Sequence, residues 1–313
     1  MGIHAPVKQT LNETERAVLR TLVYFDIFRH PLREEELLRF LSTACPDRSC
    51  VNAALGTLLD SGLLVREGGH YALRDVGEAV RERTTAEARA RKRMQRARHM
   101  SRLIAAFPFV RGVMLSGSMS KGVLAEDGDI DYFVITEPGR LWLARTLLIA
   151  FKKVVLLNSR RNFCVNYLVD TAHLAIEDRN LFTATEVMTL IPMQGRSTCV
   201  AFFAENTWAG SHLPNARRPC TEHLHDTRGP LKRLAERMLA GGMGDELDEW
   251  CMLRTKDHWR RKFPEFDAAR FELALRSRRY VSKHHPRNFQ ERVLTAFTQG
   301  LVAFEQRTGI ALP

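Results

Sequence analysis

Between Glu13 and Phe28 the apolar positions Val18, Leu19, Leu22, Val23 and Phe25 recur at helical spacing, behind an Asn12 suited to cap the first turn. A shorter helix is predicted near Arg33–Leu41 behind Pro31, and a third near Val51–Asp60, stopped by Ser61-Gly62. The period then changes: LLVREGGHYAL alternates around Glu67-Gly68-Gly69, a hairpin signal. Residues 76–105 contain no proline and no glycine beyond Gly77, which predicts one long helix or two. Their apolar positions gather only towards Met94, Met100, Leu103 and Ile104, so the start is expected exposed and the end packed. Gly112 to Leu115 reads as a buried strand meeting a turn at Ser116-Gly117-Ser118, where a helix is expected to begin. DIDYFVI, from Asp129, and FCVNYLVD, from Phe163, read as further strands either side of a helix over Leu141–Lys153. Beyond residue 196 the pattern is helical, over Pro230–Leu239, Glu246–Trp259, Pro264–Leu275 and Phe289–Glu305, with Trp208, Trp250 and Trp259 read as core.

The chain of 313 residues, 45% of them apolar, has room for two or three domains. No N-terminal apolar segment precedes a cleavage-like site, so no export signal is expected. The most lipid-like stretch, Leu141 to Leu157, is interrupted by Arg145, Lys152 and Lys153 and fits a buried helix better than a membrane span. Six scattered cysteines without a CxxC pair (Cys45, Cys50, Cys164, Cys199, Cys220 and Cys251) fit reduced thiols. These features predict a soluble cytoplasmic protein without membrane contact.

The net charge of +11 is unevenly spread. Residues 1–75 carry 9 basic and 10 acidic side chains, residues 76–105 carry 9 and 3, residues 106–195 carry 9 of each, and residues 196–313 carry 20 and 14. Boundaries near 76 and 196 follow, giving segments 1–75, 76–105 (a basic helical connector), 106–195 and 196–313. A basic excess on both sides of a neutral centre suits a polyanionic or nucleotide ligand, and equally suits ordinary solvated helix faces.

Three helices followed by a hairpin resemble a winged helix-turn-helix domain over about residues 10–75. Such a domain implies DNA binding through its third helix. Here that helix turns Asn52, Ala53, Gly56, Thr57 and Asp60 outward, with no arginine or lysine among them. Phosphate neutralisation supplies most non-specific affinity for DNA. A protein-contact or scaffolding role therefore suits this segment better.

The chemistry concentrates in LSGSMSKGVLAEDGDIDYFVI, residues 115–135. Gly117 lets the backbone approach a ligand closely, amides at a helix start favour phosphate oxygens, and the Ser118 hydroxyl adds a donor. The order G-x-x-x-x-G-K-[ST] of a P-loop is absent. Asp129 and Asp131, alternating with Ile130, place two carboxylates on one face of a strand. Like charges that close repel unless a cation lies beside them. Mg²⁺ is the natural partner, since it takes carboxylate oxygens and keeps sites for phosphate and water.

A Gly-Ser pair, ten intervening residues and D-x-D opening a strand resemble the DNA polymerase β-type nucleotidyltransferase superfamily, over about residues 95–195. The resemblance implies a mixed α/β (α+β) sheet with helices, flanked by the winged-helix-like segment and a C-terminal helical domain. It implies that Gly117 and Ser118 bind a nucleoside triphosphate, and that Asp129 and Asp131 ligate Mg²⁺, with Mn²⁺ as a substitute. The reaction would move a nucleoside monophosphate to an acceptor hydroxyl and release pyrophosphate. Lys121 reads as a phosphate contact or as a solvated helix residue. The helical C-terminal third would complete the nucleotide or acceptor cleft.

The sequence departs from the family at the third carboxylate, which belongs on the next strand, where FCVNYLVD has Asn166. An amide oxygen can ligate Mg²⁺ but is a poor base. Asp170 shares that strand's parity four residues on, roughly 13 Å away, and Glu177 follows. Three outcomes stand open: a shifted third acid, a weaker two-carboxylate enzyme, or a nucleotide-sensing regulator that binds nucleic acid or a partner protein without turnover. Cys220, His223 and His225 lie close together but lack a second ligand pair, and read as surface side chains. RSRRYVSKHHPR, residues 276–287, reads as a solvated helix end or as a basic segment meeting substrate phosphates, with Tyr280 available for base stacking. The acceptor (nucleic acid, protein or small molecule), the preferred triphosphate and the oligomeric state are not legible in these residues.

Overall fold

The computed structural model describes residues 11–45, 47–74, 77–159, 161–226 and 229–312. They are mixed α/β and fall into two compact units: residues 1–83, 210–217 and 293–313, and residues 84–209 and 218–292.

In the first unit α1 (Glu13–Asp26) starts at the expected cap. Asn12 Oδ1 accepts from the Glu15 amide at 2.9 Å, and the Glu15 carboxylate accepts from the Asn12 amide at 2.8 Å. This reciprocal pairing satisfies two amides that a helix start leaves open. The apolar stripe of α1 packs with α2 (Glu34–Phe40) and α3 (Arg48–Asp60), burying Leu19, Leu37, Leu55 and Leu58. A short β1 (Leu32–Arg33) joins β2 (Val65–Glu67) and β3 (His70–Ala72) in an antiparallel sheet of order β1-β3-β2. The β2–β3 turn uses Gly68 and Gly69, both at positive φ. Asn52, Ala53, Gly56, Thr57 and Asp60 are all exposed on α3.

Helix α4 runs unbroken over Gly77–Ala106, with its residues to Arg83 in the first unit and the rest in the second. Its start is not uniformly exposed: Arg83 is buried, donating to the Pro31 carbonyl and, at 2.5 Å, to Glu36. Long polar side chains can line a buried seam when paired, which apolar counting overlooks. Cys45 and Cys50 are joined as a disulfide, where scattered spacing predicted reduced thiols; the other four cysteines are free.

The second unit is built on a six-stranded sheet. Its elements are β4 (Val110–Ser116), α5 (Gly117–Ser120), β5 (Asp131–Thr136), α6 (Leu141–Val154), β6 (Cys164–Asp170), α7 (Leu181–Thr189), β7 (Ile191–Gln194), α8 (Arg196–Glu205), α9 (Ala209–His212, whose residues from Gly210 belong to the first unit), α10 (Pro230–Met238), α11 (Gly242–Lys262), α12 (Ala268–Ala274), β8 (Ser277–Arg278) and β9 (Val281–Lys283). A final helix, α13 (Phe289–Thr308), ends in the first unit, where Phe297 meets Tyr24 edge to face. The sheet order is β7-β4-β5-β6-β9-β8; β5 and β6 are parallel and every other pair is antiparallel. A parallel pair needs a crossover, and α6 supplies it.

Alternation along β5 sorts side chains between layers. Tyr132 and Val134 join Ala97 and Ile104 of α4, Trp142 and Leu148 of α6, and Met252 and Trp259 of α11 in one core. Phe133 faces the opposite side, stacked on Tyr167 at 5.2 Å and against Phe202 of α8 at 5.1 Å. Asp131 has the parity of Phe133.

Residues 277–283, within the segment read as a solvated helix end or a phosphate-facing basic run, form a hairpin that extends the sheet from β6. Val281, Ser282 and Lys283 are all buried there, and the arginines around them hide the strand pattern. Trp259 is buried, but Trp250 is 56% exposed, so its aromatic surface is not core. Among the described residues no helix is long and apolar enough to cross a membrane.

Gly195 opens α8 at φ +82°, and a Cβ there would lie 2.1 Å from the Arg111 carbonyl oxygen. Gly122, at φ +78°, has open space around it. Left-handed backbone alone costs an alanine roughly 1–2 kcal/mol. Thermal unfolding should therefore show Gly122→Ala lowering stability by about that amount and Gly195→Ala by several times more. Equal effects would contradict the close packing of α8 on β4.

Candidate active site at the Gly117 turn

Strand β4 ends at Ser116, and the chain reverses through Gly117 at φ +67°. The antiparallel register pairs Ser116 with Asp131, which seats the Asp131 carboxylate against this turn. A Cβ at position 117 would fall 2.6 Å from Asp131 Oδ2. Glycine is thus required twice, by the backbone and by the neighbouring carboxylate. Ser120 Oγ donates to the Gly117 carbonyl at 2.8 Å, Met119 is buried beneath, and Ser118 is exposed. The helix expected here is one turn of four residues, so local amides rather than a helix dipole would face an anion.

Strand β5 begins at Asp131; Asp129 lies in the segment before it, half-buried and two residues from its partner. The ladder nonetheless reaches Ile130, whose carbonyl accepts from the Cys164 amide at 3.1 Å. Tyr132 pairs with Val165 but Phe133 with Tyr167, so Asn166 is an extra residue in β6, a bulge. From it Asn166 Nδ2 donates to Asp131 Oδ1 at 3.0 Å. Asn166 therefore holds the second aspartate in place.

Burial is the main reason that the Asp131 carboxyl is pushed up to about 6; the Cys164 thiol hydrogen bond opposes this, while Asp129 and Glu186 add repulsion and Lys121 offsets part of it. Burial, with the Asp131 charge beside it, pushes the Cys164 thiol up to about 12, leaving it a hydrogen-bond donor rather than a nucleophile.

Lys121 donates to the Gly117 carbonyl at 3.2 Å and to Glu186 of α7 at 2.7 Å, so it is neither a bare solvated residue nor isolated from the turn. The other acids considered from sequence lie elsewhere. Asp170 pairs with Thr136, five strand steps or roughly 17 Å from the Asp131 end, and accepts from the Ala172 amide at 3.0 Å, with His173 Nδ1 2.8 Å away. Glu177 is engaged by Arg276, Arg278 and Tyr280, whose carbonyl binds the Asp170 amide. Neither acid reaches the Gly117 turn. Glu186 was not singled out in the sequence; Asn180, which caps α7 by accepting from the Thr183 amide, was the available sign of its helix.

In the basic segment 276–287 Arg276, Arg278, Arg279 and Lys283 have carboxylate partners. Arg276 and Lys283 bind Asp178 at 3.0 Å each, and Arg278 binds Glu177 and Glu272. His285 is half-buried and its imidazole is pushed down to about 4, first by loss of solvation and then by Lys283. Cys220, His223 and His225 are exposed. Among the described residues no group of three or more histidine, cysteine or acidic side chains is arranged to hold a metal. The donors that fit a hard cation are the oxygens of Asp131, beside the side-chain-free face of Gly117, and of Asp129 two residues upstream. No protein-family model, curated protein or solved structure matches the chain.

A carboxyl raised from an unfolded value near 3.8 to about 6 binds more protons folded than unfolded between those limits, so its contribution to stability falls as pH rises through that window. Asp131→Asn keeps an acceptor for Asn166 and removes the ionisation. It should raise stability at pH 7.5 by on the order of 2 kcal/mol, with the gain vanishing below pH about 4. Thermal unfolding of both proteins across pH 4–8 would show this; a pH-independent difference would contradict the buried charge.

Proposed function

We propose that this chain is a Mg²⁺-dependent nucleotidyltransferase of the DNA polymerase β type, acting in the cytoplasm on a nucleoside triphosphate and an acceptor hydroxyl. The single observation that carries the reading is the seating of the Asp131 carboxylate against Gly117, with Asp129 two residues upstream. A carboxylate packed against a half-buried, side-chain-free turn, with a second acid two residues upstream, suits a site where phosphate and a hard cation meet. In this reading the Gly117 backbone and the Ser118 hydroxyl take phosphate oxygens, while Lys121 lies one hydrogen bond from the same turn. Asp129 and Asp131 would hold Mg²⁺, or Mn²⁺ in its place, and Asn166 fixes the rotamer of Asp131. The ion, when bound, neutralises phosphate charge. The protein aligns the acceptor oxygen with the α-phosphorus opposite the pyrophosphate leaving group.

The three helices and small sheet of the first unit support the winged-helix-like reading. Beyond Arg48 at its start, the exposed positions of α3 (Asn52, Ala53, Gly56, Thr57 and Asp60) carry no basic side chain, which favours a protein contact over DNA. A second reading, a catalytically weak nucleotide sensor, is favoured by Asn166: the position lacks a charge and its amide is committed to Asp131.

Incubation with each labelled triphosphate and Mg²⁺ in a cell lysate should give a labelled acceptor identifiable by mass spectrometry. Asp129→Asn and Asp131→Asn should each lower transfer at least about 100-fold, with far-ultraviolet dichroism unchanged. Absence of both metal-dependent nucleotide binding and transfer would end the enzyme reading. Triphosphate stabilisation without product, unchanged by Asn166→Asp, would select the sensor.

A further inference from the structure

Lys121 connects the candidate phosphate turn to a carboxylate on a different element. Its ammonium donates to the Gly117 carbonyl at 3.2 Å and to Glu186 Oε1 at 2.7 Å. The two side chains are 19% and 30% exposed, so the pair is open to an incoming solute. Gly117 is the residue whose Cβ would strike the Asp131 carboxylate. One ammonium therefore separates Glu186 from the turn on which Asp131 rests. The pair is partly exposed rather than sealed inside the unit, so an anion of higher charge can compete for the ammonium.

We propose that Lys121 and Glu186 form an exchangeable ion pair that couples polyphosphate binding to divalent-cation binding. The inference rests on the reading of the Gly117 turn as a phosphate site beside a cation site. Without polyphosphate, Lys121 neutralises Glu186, and the cation site has only Asp129 and Asp131 as its anions. A phosphate chain on the turn presents several charged oxygens within reach of the ammonium and competes with the single carboxylate for it. Glu186, losing its counter-ion, then adds its negative charge to the aspartate side of the turn. This supplies from α7 a charge that Asn166 does not supply from β6. No covalent step is involved. By linkage, whatever strengthens the cation site on polyphosphate binding must strengthen polyphosphate binding on cation loading.

Two binding measurements on the full chain test the coupling without turnover. In the first, free Mn²⁺ is followed by electron paramagnetic resonance without nucleotide. Lys121→Met should tighten Mn²⁺ binding about fivefold to tenfold, and the same change in a Glu186→Gln background should have at most about a twofold effect. In the second, inorganic tripolyphosphate is titrated calorimetrically in EDTA: Glu186→Gln should bind it about fivefold more tightly, and Lys121→Met several-fold more weakly. An equal Lys121→Met effect in both backgrounds would mean simple charge addition and would overturn the exchange. An unchanged tripolyphosphate affinity in Glu186→Gln would overturn it as well. Asp131→Asn separates the two levels. If it leaves Mn²⁺ binding intact, the cation site itself is misplaced; if it abolishes binding while the double-variant cycle is additive, the site stands and the coupling falls.

Discussion

Where Ser116 pairs with Asp131, the aspartate carboxylate occupies the volume that a side chain at position 117 would need. That contact ties three levels of structure together. The backbone must take a left-handed turn at a glycine, the turn leaves Ser118 exposed, and the carboxylate must lose much of its water. Each neighbour of Asp131 answers one of these demands. Asn166 and the Cys164 thiol satisfy oxygen lone pairs, and Lys121 offsets the accumulated negative charge. The β6 bulge that makes Asn166 an extra residue serves the same end, re-aiming one side chain without altering the rest of the parallel pair.

Much of this was legible in the residues because it depends on local period and turn chemistry. The stripe of α1, the Asn12 cap, the Gly68-Gly69 hairpin and the crossover helix α6 all lie close to where spacing predicts them. So do the strands either side of the Gly117 turn. What escaped depends on distant partners. Arg83 looks like a surface residue until Glu36 and the Pro31 carbonyl are placed beside it. The hairpin β8–β9 is masked because Arg278 and Lys283 carry charges that Glu177, Glu272 and Asp178 neutralise. Glu186 had no motif to mark it, since its significance comes only from Lys121, 65 positions earlier in the chain. Asp129 sits just outside the strand that alternation assigned to it, the kind of boundary that residue pattern resolves poorly.

The charge distribution changes meaning once these partners are known. Residues 196–313 carry an excess of six basic groups, but Arg276, Arg278 and Lys283 are tied to carboxylates of the same unit. Arg145, buried in α6, lies over the rings of Trp142 and Trp259. Such groups add little to a long-range field that would draw a polyanion to the surface. Steering therefore has to come from cations outside these pairings, and net charge alone overstates it.

Hairpin β8–β9, contributed by residues 277–283, has a consequence for how the chain matures. The six-stranded sheet lacks β8 and β9 at one edge until residues 277–283 have been synthesised, and the first unit likewise includes residues 293–313. During synthesis β6 is left as an open edge, with amides and carbonyls available for the wrong neighbour.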